Sequence, residues 1–161
     1  MPPHPLVVVV HDLRSAYNVG SIFRTADSAG LAGVVLTGFT ATPAHRGVAK
    51  TALGAEDAVP WRHVESVHDA LAELRAEGYT VAALERAPEA IAPADVPADA
   101  FPLALVLGNE VHGVPPDVLA AADLVVGLPQ YGVKASLNVS VAFGVAAYGL
   151  VERVRAASGS A

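Results

Sequence analysis

Three clusters of residues in this 161-residue chain have the types and spacing to do chemistry. The first is Asn18-Val-Gly-Ser-Ile-Phe-Arg24-Thr25. Its amide and guanidinium lie six positions apart, nearly two helical turns, so both can project from similar sides of one helix. Read alone, an asparagine helix cap and a solvated arginine account for it equally well. The second is Leu107-Gly-Asn-Glu110-Val-His-Gly113, where Gly108 and Gly113 permit close backbone approach or positive φ, and Glu110 sits just past an apolar run. By itself it is a glycine-rich turn with one acid. The third is the loop bearing Gly132, Lys134, Ser136 and Asn138, which feeds the apolar segment Val139 to Val151. Asparagine and serine at a helix start cap orphan backbone donors, and the same donors can hold a polar ligand.

The elements that must position these clusters alternate along the chain. Leu6 to Val10 is an apolar run too short for a helix and suited to a strand buried on both faces. Asn18 to Ala29 carries Ile22, Phe23, Ala26 and Ala29 at helical spacing, with Gly30 as a C-terminal cap. Gly33 to Phe39 reads as the second strand, Val67 to Ala76 as an amphipathic helix stopped at Gly78, and Tyr79 to Leu84 as the third strand. From Arg86 to Pro102, four prolines interrupt regular structure, which predicts an exposed, extended loop. Leu103 to Leu107 is the fourth strand, Pro116 to Ala122 a short helix and Leu124 to Leu128 the fifth strand. The helix from residue 139 is apolar on every side, so it must be buried or covered by a partner. Such alternation implies a single α/β domain with a parallel sheet between helices, and it puts the third cluster at the carboxyl end of a strand, where open α/β sheets bind ligands.

Composition narrows the function classes. The chain has no cysteine, which excludes disulfides and thiolate metal sites, and its six histidines show no ligand spacing, so no metal is expected. No run reaches the roughly 18 apolar residues of a membrane span and no leader pattern opens the chain, so the expected location is cytoplasmic. At 53% hydrophobic and 16% charged, the chain is rich in apolar residues for its size, which suggests surface buried in an oligomer. The net charge of −6 argues against a nucleic-acid partner, but its distribution does not. Residues 1–54 carry Arg14, Arg24, Arg46 and Lys50 against Asp12 and Asp27, a local +2 that leaves −8 for the rest. A dinucleotide-dependent dehydrogenase is disfavoured, since no Gly-x-Gly-x-x-Gly turn follows the first strand.

Together the clusters resemble, in order and spacing, the three motifs of the SpoU (TrmH) family of RNA 2′-O-ribose methyltransferases in the SPOUT superfamily. Asn18, Gly20 and Arg24 are similar to its Asn-x-Gly-x-x-x-Arg motif, and Gly108, Asn109, Glu110 and Gly113 to its Gly-Asn-Glu-x-x-Gly motif. Leu128, Pro129, Gly132, Ser136, Leu137, Asn138 and Ser140 are similar to the third, with Leu128 where isoleucine is usual and Gln130 where methionine is. The resemblance extends through Lys50-Thr-Ala-Leu-Gly-Ala and Val59-Pro-Trp61.

It implies a parallel-sheet SPOUT fold whose C-terminal region is tied in a deep trefoil knot, although general rules make such threading very rare. It further implies that Leu84, Glu85, Gly108, Leu128, Ser136, Leu137 and Asn138 line a site for S-adenosyl-L-methionine, and that the knot helices form a homodimer. The implied reaction is attack of a ribose 2′-hydroxyl on the sulfonium methyl. Arg24 matches the family's catalytic arginine. A guanidinium stays protonated at ordinary pH, so binding the adjacent phosphate and stabilising developing alkoxide is favoured for Arg24 over general-base action. Asn18 would orient Arg24 or the ribose, while Glu110, Ser136 and Asn138 would complete the site, partly across the dimer interface. Several relatives carry an N-terminal RNA-binding domain. Here the first strand begins at Leu6, so substrate choice is expected to rest on the catalytic domain, with Arg14, Arg46, Lys50 and Lys134 as RNA contacts and tRNA ahead of rRNA. A non-catalytic RNA-binding or cofactor-sensing module on the same fold is the competing expectation.

Overall fold

The computed structural model describes residues 1–134 and 136–159. Its strands are β1 (His4–His11), β2 (Leu31–Thr37), β3 (Trp61–Val64), β4 (Thr80–Leu84), β5 (Leu103–Leu107) and β6 (Leu124–Val126). They form one six-stranded sheet in the order β3-β2-β1-β5-β4-β6, with every pairing parallel. The helices are α1 (Ala16–Ala29), α2 (Arg46–Ala52), α3 (Ala55–Ala58), α4 (Val67–Ala76), α5 (Pro116–Ala121) and α6 (Val139–Ala157), with 3-10 turns at Pro93–Asp95 and Ala98–Ala100.

Alternation along β1 shows how the sequence makes three layers. Leu6, Val8 and Val10 pack with Phe23 of α1 and Phe143 of α6, while Val7 and Val9 pack with Leu71 and Leu74 of α4 and Val118 of α5. Both faces are therefore covered, as a parallel sheet requires. The chain runs outward from β1 through β2 to β3, then returns to build β5, β4 and β6 on the other side. The switch point lies between β1 and β5, so the loops leaving their carboxyl ends face each other across the crevice where such sheets bind ligands.

Several expectations change. The segment before Val67 holds α2, α3 and β3, none of which the apolar pattern reveals. β3 is a sheet edge of four residues alternating exposed and half-buried, and α2 spans only seven residues. Residues Arg86 to Pro102 do not form an exposed loop, because Pro93, Val96 and Ala100 are buried and Ile91 bridges Val126. Val126 lies between Leu84 of β4 and Ile91. Glu85 N donates to Val126 O at 3.0 Å, Ile91 N to Val125 O at 2.9 Å and Gly127 N to Ile91 O at 2.9 Å. Residues 85–91 thus arch over the end of β6. β6, the strand expected over Leu124 to Leu128, ends at Val126 and leaves Gly127 onward to turn into the site. Finally, α6 is not buried all round. Phe143, Ala146, Ala147, Leu150 and Val151 face the core, but Val141, Val145 and Tyr148 are 51%, 54% and 46% exposed, an uncovered apolar stripe.

Candidate active site

The loops after β4, β5 and β6 enclose a cleft of about 570 Å³. All seven residues expected to line a cofactor site, Leu84, Glu85, Gly108, Leu128, Ser136, Leu137 and Asn138, line it. Asn109, His112, Gly113 and Gln130, from the second and third clusters, and Ala142 of α6 join them. The walls mix leucine and valine side chains with amide, carboxylate and backbone polar groups, the make-up of a small-molecule site.

The wall after β5 is held rigidly by its own sequence. Asn109 and Gly113 exchange backbone hydrogen bonds, Asn109 N to Gly113 O at 3.1 Å and Gly113 N to Asn109 O at 2.8 Å. Inside that turn, Asn109 Oδ1 accepts from Val111 N at 2.8 Å and His112 N at 3.0 Å. A Cβ on Gly108 would stand 2.1 Å from Gly113 C and 2.2 Å from Val114 N, so only glycine fits where the loop crosses itself. Gly113 has φ +69, and a Cβ there would meet Glu85 Oε2 at 2.5 Å. Glu85 in turn accepts from Arg86 N at 3.0 Å and Val114 N at 3.1 Å, tying the β4 loop to the β5 loop.

This wall also reaches the β1–α1 loop. Glu110 accepts from Arg14 N at 2.9 and 3.0 Å and from Ser15 N at 3.1 Å. Its carboxylate thereby holds the backbone of the β1–α1 loop, and Glu110 itself lines the cleft. Asn109 Nδ2 adds a bond to Asp12 O at 2.8 Å. From the other flank, Thr40 Oγ1 accepts from Leu13 N at 3.1 Å and Asp12 Oδ1 from Phe39 N at 3.0 Å. His11, at the end of β1, has its pKa lowered by burial, opposed by the charges of Asp12 and Asp117 and assisted by His68. The hydrogen bond from His68 holds the Asp117 carboxyl below its ordinary range.

At the third wall, Asn138 caps α6, its Oδ1 accepting from Ser140 N at 2.9 Å and Val141 N at 3.4 Å. Its Nδ2 donates to Asn18 Oδ1 at 3.4 Å, which joins the first and third sequence clusters. Arg24 does not follow Asn18 to this spot. Six residues at 3.6 per turn leave the two about 120° apart around α1, correcting the expectation of a shared side. Thr25 lies 3.8 Å from the Cβ position of Gly144 and Ser28 Oγ is 2.9 Å from Tyr148 Oη, so the α6-facing side of α1 runs through 18, 25 and 28. Arg24 flanks that side, exposed, with no ion pair or hydrogen bond among the described residues.

Of the expected RNA contacts, Arg14, Arg46 and Lys50 line a second concavity, between α1 and α2, with Tyr17 and His45. Lys134 lies elsewhere, exposed on the β6–α6 loop. No group of three or more metal-ligating side chains occurs among the described residues, and no described helix is long and apolar enough to cross a membrane.

The model of the SpoU rRNA Methylase family matches residues 5–148. A Staphylococcus haemolyticus protein assigned to the TrmH family of tRNA/rRNA methyltransferases is 37% identical over 142 residues, 88% of this chain and 56% of that one. The 23S rRNA (guanosine-2′-O-)-methyltransferase RlmB of Ralstonia nicotianae is 34% identical over 152 residues, 94% of this chain and 59% of its own. The chain thus spans little more than half the length of these curated relatives. Among solved structures, an AdoMet-bound rRNA methyltransferase from Sinorhizobium meliloti superposes with a TM-score of 0.85 at 28% identity, covering 94% of this chain and 57% of that one.

Proposed function

The chain belongs to the SpoU methylase family, and from that premise we propose that it transfers a methyl group from S-adenosylmethionine to a ribose 2′-hydroxyl of structured RNA, with tRNA the first candidate and rRNA the second. The observation that carries this reading is the convergence on one cleft of Leu84, Glu85, Gly108, Leu128, Ser136, Leu137 and Asn138, drawn from three separate loops, with Asn18 joined to Asn138 at its edge. Relatives described as a guanosine-2′-O-methyltransferase and as AdoMet-bound support it.

The residues present fit the cofactor. The cleft has the volume of a small-molecule site. Gly108 lets the Gly113–Val114 backbone close against the β5 end at the cleft wall, where a side chain would collide, and leucines at 84, 107, 128 and 137 offer apolar surface for a purine. Bound there, S-adenosylmethionine supplies an electrophilic methyl for in-line attack by the 2′-oxygen.

The protein's contribution is positioning and electrostatics. Arg24, with no ion pair or hydrogen bond among the described residues, binds the phosphate beside the target ribose and stabilises the alkoxide as the 2′-hydroxyl gives up its proton to solvent water. Asn18 and Asn138 present amide groups to the ribose, and Ser136 lies along the same wall. Glu110 and Asn109 fix the loop from which Arg14 projects. The uncovered stripe of Val141, Val145 and Tyr148 is the surface on which a second copy packs, giving a cytoplasmic homodimer whose partner closes the open side of the site.

Mapping 2′-O-methylation across total RNA from cells with and without the protein tests this function. Loss of methylation at a defined nucleotide is the expected result. Identical maps contradict the activity and leave the non-catalytic module.

A further inference from the structure

We propose that the concavity between α1 and α2 is a subsite for one unpaired nucleotide of the RNA substrate, with Tyr17 as the platform on which its base stacks and Arg14, Arg46 and Lys50 around its phosphates. This rests on the reading that the substrate is RNA, and it deepens that reading by specifying a splayed-out base beside the reaction.

Four observations carry it. Tyr17 stands in the first turn of α1 with 54% of its surface exposed, although burying such a ring is favourable. The Lys50 ammonium sits 6.0 Å from the ring centroid, within reach of a cation–π contact and beside any base laid on the ring. The concavity is lined by Arg14, Arg46 and Lys50 without a single carboxylate, in a chain whose net charge is −6. None of the three cationic groups forms an ion pair among the described residues.

The local backbone is shaped for the purpose. A Cβ on Gly20 would lie 1.8 Å from Thr51 Oγ1 and 2.5 Å from Val48 O, and one on Gly47 would lie 2.9 Å from Ala16 Cβ. These two glycines let α2 approach α1 closely enough to set Lys50 beside Tyr17. Thr51 Oγ1 donates to Tyr17 O at 3.1 Å and pins that approach. The concavity is also wired to the cleft. Asn18, next in sequence to Tyr17, contacts Asn138, and the backbone of Arg14 is held by Glu110. A nucleotide on Tyr17 therefore neighbours the ribose presented to the cleft. A base stacked on a side chain must leave its own helix, so this subsite selects single-stranded or looped RNA over continuous duplex.

The test uses the full chain and a short single-stranded ribo-oligonucleotide carrying 2-aminopurine, whose fluorescence falls when the base stacks. Wild type and Tyr17→Phe, which keeps the ring, should quench it and bind alike. Tyr17→Ala should abolish the quenching and weaken binding by about 5- to 150-fold. The same RNA annealed to its complement should bind weakly to all three proteins. S-adenosylmethionine affinity should be equal in all three, which reports intact folding. Quenching and affinity unchanged in Tyr17→Ala overturn the subsite while leaving the RNA reading in place. A wild-type protein that binds no oligonucleotide and methylates no RNA overturns both.

Discussion

The cleft at the ends of β4, β5 and β6 and the concavity between α1 and α2 share the β1–α1 loop as a border, yet they are built in opposite ways. One wall of the cleft is closed by side chains turned onto backbone. Asn109, Glu85 and Glu110 each satisfy two or more amide groups, and Gly108 admits no Cβ. The concavity is lined by long cationic chains that carry no internal ion pairs among the described residues. The difference fits the ligands proposed for the two hollows. A small molecule that must present one methyl group in line needs a preset shape. A polyanion is captured by charge that can follow its backbone, and the counterions it releases make that capture sensitive to salt.

Four perturbations break or sharpen this contrast, in order of falling effect. Arg24→Ala should abolish methyl transfer while cofactor affinity stays near wild type, since Arg24 does not line the cofactor cleft. Single-turnover transfer and calorimetric titration together check it, and undiminished turnover removes Arg24 from the mechanism. Gly108→Ala should strike the rigid side alone. A forced contact with the Gly113 and Val114 backbone lowers stability by about 1–3 kcal/mol and cofactor affinity by at least about tenfold, with RNA affinity unchanged. Thermal unfolding and the two titrations separate these effects.

Glu110→Ala tests the border itself. It frees the Arg14 and Ser15 amides, and hydrogen bonds to a charged acceptor of this kind are worth about 1.5–3 kcal/mol. Transfer should fall about 10- to 100-fold in kcat, with smaller changes in either binding step, and equal losses in both affinities instead would make Glu110 a general fold determinant. The double variant Arg46→Ala, Lys50→Ala acts on the concavity alone. The slope of log affinity against log salt should become shallower by about 1 to 2, with cofactor titrations unchanged. Identical slopes would move the RNA platform to Lys134 and the cleft-side loops.

The cleft was more legible in the sequence than the concavity, for a physical reason. Its residues are specified by local chemistry, with glycines where backbone crosses backbone and Asn138 where a helix needs a cap, and those requirements leave motifs in consecutive residues. The concavity depends on a tertiary approach. Lys50 meets Tyr17 only because Gly20 and Gly47 bring α2 onto α1, and α2 is too short to show a periodicity of its own. An aromatic residue directly before Asn18 was the one available signal for Tyr17, and nothing in spacing gave it a partner. The β1, α1, α4 and β5 elements were readable from apolar runs and caps, whereas edge strand β3 and the buried stretch around Val96 were not. Burial of the latter comes from packing against α6, whose Arg153 Nε donates to Val96 O and whose Gly149 faces Pro93, and not from any periodic pattern. Asn18 and Arg24 illustrate the opposite error, a sequence spacing taken for a shared face that helix geometry does not grant.

The most direct test of the account is transfer of labelled methyl from S-adenosylmethionine to total RNA from cells lacking the protein, followed by digestion to nucleosides. The account predicts label in a 2′-O-methylated nucleoside, none with Arg24→Ala and none in a DNA copy of the substrate, which lacks the 2′-hydroxyl. Label in a base-methylated nucleoside, or equal label in RNA and DNA, would contradict it.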